Sequence, residues 1–159
     1  MPKDVALREQ LTQLLRGGHA HATFDDAVRG FPLDRAGVRP PSLPYSAWEI
    51  LEHMRIAQND ILRFSQSAEY VSPQWPEGYW PTAPAPENES RWKGAIRAFR
   101  RDLGAFEKLV LDPAQNLHRK FPWGTGQTLL RETLLIADHN SYHLGQLVLV
   151  RRLLGAWPK

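Results

Sequence analysis

His139 and His143 stand four residues apart in Asp138-His-Asn-Ser-Tyr-His-Leu-Gly-Gln146. On an α-helix that spacing puts two imidazoles on one face about a turn apart, where both can reach one ion. Ile136, His139, His143, Leu147 and Val150 follow the three- and four-residue steps of an inward stripe, so both rings are expected on the buried side. Buried imidazoles need partners, and hydrogen bonds to nearby carboxylates or carbonyls would satisfy them as a metal would. A third histidine tilts the choice. His53 is the single polar interruption of the stripe Ile50, His53, Met54, Ala57, Ile61 and Phe64. One ring on one helix facing a pair on another makes a three-nitrogen site with open positions, the arrangement of a catalytic rather than a structural ion. Of the other histidines, His19 and His21 alternate across a loop and read as loop or cap residues able at most to approach the site from outside its ligands. His118, beside Arg119 and Lys120, reads as solvated.

Three rings on two segments require helices long enough to hold them. Leu7, Leu11, Leu14 and Leu15 predict a first helix over 4–16, stopped by Gly17-Gly18. Thr23-Phe-Asp-Asp26 opens a turn or two that ends near Gly30. The proline-punctuated run 31–44 is a connection, after which Ser46 and Glu49 form a capping box for a helix from Ala47 to about Phe64. Residues 65–90 interleave five prolines with Tyr70, Trp75, Tyr79 and Trp80, a crossover that either seals the core or lines a pocket mouth. A third helix, 91–111, carries Trp92, Ile96, Phe99, Leu103, Phe106 and Val110. A fourth runs from Thr125 or Thr128 to about Leu154, with Arg151 and Arg152 in its last turn and Gly155 as its stop. The fold expected is all-α, a four-helix bundle with a long crossover connection between its second and third helices, as one domain over 1–159.

Composition narrows the chemistry. With no cysteine among 159 residues, disulfides, thiolate zinc sites and a protein thiol nucleophile are excluded. Any metal must use His, Asp or Glu. No apolar run reaches the ~20 residues of a membrane span, and Asp4, Arg8 and Glu9 interrupt any signal-peptide core, so a cytoplasmic protein with no membrane partner is expected. The net charge of +3 is spread along the chain without a basic stripe or reading motif, so no nucleic-acid partner is expected.

Three stretches together, Ser46-Ala-Trp-Glu-Ile-Leu-Glu-His53, Asp138 to Gln146, and Arg151-Arg-Leu-Leu-Gly155, resemble the DinB-like (DinB/YfiT) superfamily over nearly the whole chain. Gly17-Gly-His-Ala-His21 and Pro44 to Trp48 are also similar, with less specificity. The resemblance implies a four-helix bundle with a long crossover, a homodimer, and a divalent metal on His53, His139 and His143. It implies less about activity, since relatives include transferases and isomerases that use bacillithiol, mycothiol or glutathione. Asn140 stands where a zinc protease would carry its general-base Glu, which disfavours proteolysis. The expectation is a metal-dependent enzyme on a small-molecule substrate, a thiol-dependent S-transferase or a hydrolase. The ion, zinc or nickel before iron or copper, would activate water or a low-molecular-weight thiol near pH 7. Asp138, Asn140 and Gln146 are candidate supporting residues, none with an assigned role. The alternative is a non-catalytic metal-binding or stress-related dimeric bundle.

Overall fold

The computed structural model describes residues 4–158. Its elements are α1 (Val5–Arg16), α2 (Phe24–Val28), α3 (Ala47–Gln66), α4 (Glu89–Leu111) and α5 (Leu129–Leu153), with 3-10 turns at Leu33–Arg35 and Glu77–Tyr79. The described residues contain no strand, and one isolated bridge pairs Lys120 with Thr128. α3 packs against both α4 and α5, and α1 lies against the same two helices. The architecture is therefore an all-α helical bundle.

Each long helix starts where a side chain can satisfy its first free amides. Ser46 Oγ accepts from the Glu49 amide at 3.2 Å, and Glu49 returns a carboxylate oxygen to the Ser46 amide at 2.8 Å. Thr128 caps α5 through the Arg131 amide at 3.1 Å. α4 begins at Glu89 rather than Arg91, because the Asn88 side chain accepts from the Arg91 amide and so becomes the cap. The core has two lobes. One gathers Trp48, Ile50, Met54, Trp92, Phe99 and Leu147, and the other gathers Leu11, Ile61, Phe106, Val110, Leu117 and Ile136.

Two departures from the sequence pattern share one cause. Leu14 is 50% exposed, because the buried stripe of α1 runs through Arg8, Leu11, Thr12 and Leu15. Arg8 belongs to that stripe since its guanidinium donates to the carbonyls of Val110, at the end of α4, and of Asp112 and Gln115 just beyond it. Arg151, in the last turn of α5, is likewise almost fully buried. It donates to the carbonyls of Asp26, Ala27, Arg29 and Ala156 at 2.7–2.9 Å, tying the end of α5 to the end of α2. Burial of a guanidinium is tolerable only with such a full set of acceptors.

The connection 67–88 is held down at several points. Tyr79 donates its hydroxyl to Asp60 on α3 at 2.7 Å, and Ser46 donates to the Pro84 carbonyl. A Cβ on Gly37 would meet the Ala85 Cβ at 2.3 Å, so the two irregular segments touch where only glycine fits. No described helix is long and apolar enough to cross a membrane.

Candidate metal centre

α3 and α5 bring His53, His139 and His143 together with a ligand nitrogen of each within 4.8 Å of the others. His53 Nε2 lies 3.1 Å from His143 Nε2 and 3.1 Å from His139 Nε2. A tetrahedral ion bound at about 2.0–2.1 Å holds its nitrogens about 3.3 Å apart, close to what these rings already adopt. His53 and His143 are buried and His139 is half-buried.

The opposite sides of the rings decide what the converging nitrogens carry. His53 Nδ1 is 2.8 Å from the Tyr79 carbonyl, which can only accept, so the ring proton sits on Nδ1 and Nε2 presents a lone pair. His143 Nδ1 meets Gln146 Oε1 at 2.7 Å, with the same consequence for its Nε2. Burial lowers the pKa of all three imidazoles. For His139 burial acts first and the neighbouring His143 and His53 second, bringing it down to about 4. Neutral rings whose lone pairs face one another at 3.1 Å repel unless a cation lies between them. The donor set, three neutral nitrogens and no thiolate, fits a borderline transition ion such as zinc or nickel.

Comparison of the chain with protein-family models, with curated proteins and with solved structures finds no match. The site therefore has to be read from its own chemistry. Trp80 stacks on His53 with ring centroids 4.0 Å apart and planes 4° from parallel, and Tyr45 covers the other face of Trp80 at 4.3 Å. This sandwich fixes the His53 ring plane while the Tyr79 carbonyl fixes its tautomer. Beside the histidines opens a cavity of about 330 Å³, walled by Ala57, Asp60, Ile61, Trp75, Tyr79 and Leu135. Tyr79 keeps its proton, since burial and then the Asp60 carboxylate raise its pKa well above the ordinary phenol value.

Of the candidate supporting residues, Gln146 accepts from His143 Nδ1 and Asn140 lies within reach of the His139 ring. Asp138 is exposed, and Asn140 turns its amide to Gln58 at 2.9 Å, which in turn donates to the Phe99 carbonyl. His19 and His21 are exposed and outside the cluster. His118 is exposed too, 3.7 Å from the Asp4 carboxylate. Tyr79, Trp80 and Asp60 had no assigned part in the sequence reading. The aromatic-rich connection was the signal for Tyr79 and Trp80, but it could not say which of four aromatics reaches His53, and Asp60 on α3 had none.

Proposed function

We propose that this chain is a divalent-metal-binding protein of the DinB-like type, acting as a metal-dependent enzyme on small molecules from the cytoplasm as a homodimer. The observation that carries the metal reading is the convergence of three imidazoles, two of which, His53 and His143, turn Nε2 lone pairs inward because their ring protons are committed to the Tyr79 carbonyl and to Gln146. His53, His139 and His143 would hold the ion. When bound, zinc or nickel supplies Lewis acidity that polarises a ligand and lowers the pKa of what it binds. Around that position the chain contributes rigidity and shelter. Trp80 and Gln146 orient rings, and Trp75 and Tyr79 line the cavity beside them. With no cysteine in the sequence, sulfur chemistry would take its sulfur from a low-molecular-weight thiol. A thiol-dependent S-transferase is the first reading and a hydrolase the second.

The test combines metal analysis with a screen of electrophilic small molecules in the presence of bacillithiol, mycothiol, glutathione or no thiol, with His143→Ala as the blank. Turnover that needs both metal and thiol is expected. Equal turnover in parent and variant would sink the metal mechanism, and metal-dependent turnover indifferent to every thiol would favour hydrolysis. The non-catalytic alternative draws on α5, which leaves Leu134, Tyr142, Leu149 and Leu153 exposed on the side away from the core. Helices apolar on more than one face are usually covered on both, which suits a second copy of this chain.

A further inference from the structure

We propose that the cavity beside the three histidines selects small molecules with an apolar body and no negative charge on the part that enters it. This rests on the metal reading, which places one end of such a molecule at the ion.

Polarity in the cavity is confined to two places. The histidines form one, and the Asp60–Tyr79 pair is the other, with Asp60 two turns along α3 from His53. Between them lie Ala57 and Ile61 from α3, Leu135 from α5, and Trp75 from the connection 67–88. Ala57 and Ile61 are buried, so their surfaces are fixed by the core behind them. Trp75 is 70% exposed and stands edge-on to Tyr79 at 5.4 Å, at the rim rather than in the core. An exposed tryptophan beside an apolar recess gains from covering a ligand. No lysine or arginine among the described residues lines the cavity, its one charged side chain is the Asp60 carboxylate, and a bound ion would put its positive charge at the histidine end, where the head of the molecule sits. That carboxylate accepts from Tyr79 through one oxygen, and its other oxygen is shut off from solvent without a hydrogen-bond partner. A ligand carboxylate or phosphate lying beside Asp60 would meet like charge and no donor but the Tyr79 hydroxyl, already given to Asp60. A neutral apolar group meets the side chains of Ala57, Ile61, Leu135 and Trp75.

The experiment uses the zinc-loaded full chain and three probes that share one metal-binding head: imidazole, 4-phenylimidazole and 4-(imidazol-4-yl)benzoate. Their affinities are measured by titration calorimetry, with metal-free protein as the blank. 4-Phenylimidazole is expected to bind at least about tenfold tighter than imidazole. Tenfold is about 1.4 kcal/mol, which at about 25 cal/mol per Å² requires only about 55 Å² of ring to be covered. The benzoate should lose that gain. Trp75→Ala and, separately, Leu135→Ala should each shrink the ratio of phenylimidazole to imidazole affinity, with one zinc per chain still bound. Phenyl and parent imidazole binding alike, or the benzoate binding as tightly as the phenyl compound, would overturn the inference while leaving the metal reading in place. Failure of the chain to take up zinc would overturn both.

Discussion

Acid should loosen the metal-free protein through His139, and the amount follows from its surroundings. The ring is held among two other imidazoles with its pKa lowered to about 4, whereas in the unfolded chain it titrates near 6.5. Between those two values the unfolded chain binds more protons than the folded one, so stability rises with pH there. The contribution is complete above about pH 6.5 and is lost as the pH falls toward about 4. Each pH unit in that window is worth about 1.4 kcal/mol; with the ring partly open to the cavity, the total is about 2–3 kcal/mol. His53 and His143, also lowered by burial, act in the same direction. Glu132, whose carboxyl is raised by burial, acts in the opposite one. Its effect cancels when two chains that both contain it are compared. Urea unfolding in the presence of a chelator, at pH 7.5 and 4.5, should therefore show the parent losing about 2–3 kcal/mol more than His139→Gln. Identical losses in the two proteins would refute the reasoning, since glutamine cannot take up the proton.

His53→Ala and His143→Ala should each abolish stoichiometric zinc uptake measured by elemental analysis, whereas His118→Ala should retain it. Zinc at a hundred times its dissociation constant stabilises by about 2.7 kcal/mol, so the parent's melting temperature should rise by about 5–10 °C while the two site variants stay where they are. Trp80→Ala removes the ring stacked on both His53 and Tyr45. It should cost about 1–3 kcal/mol in urea unfolding and about tenfold in zinc affinity. Tyr79→Phe leaves the Asp60 carboxylate without its donor and should cost about 1–3 kcal/mol of stability, with one zinc per chain still bound.

The helices and the histidine cluster were legible because both follow from local rules. A stripe such as Ile50, Met54, Ala57 and Ile61 buries itself whatever the rest of the chain does, and His53 is carried inward with it. Ser46 with Glu49 marks a helix start by hydrogen bonds spanning three residues. Arg8 and Arg151 were not legible, since each is buried by carbonyls more than a hundred residues away in sequence. Nothing in the types of their neighbours announces a helix end without partners. The part of Trp80 was hidden for a related reason. Four aromatics in one irregular segment are equivalent by composition, and only the path of the backbone decides that residue 80 covers a histidine while residue 75 stands at the cavity rim.

The atom that sets the tautomer of His53 is a main-chain carbonyl, at a residue whose side chain faces the cavity. Every amino acid has that oxygen. Position 79 can therefore change its side chain, and with it the shape of the cavity, without removing the acceptor that keeps the His53 lone pair inward. Gln146 differs, because its acceptor is a side-chain amide and is lost with the residue. At residue 79 the scaffold thus separates what orients a ring nitrogen from what shapes the cavity, whereas Gln146 orients its ring from outside the cavity lining. The shape of the cavity can therefore change at position 79 in the connection between α3 and α4 while the His53 nitrogen stays where it is.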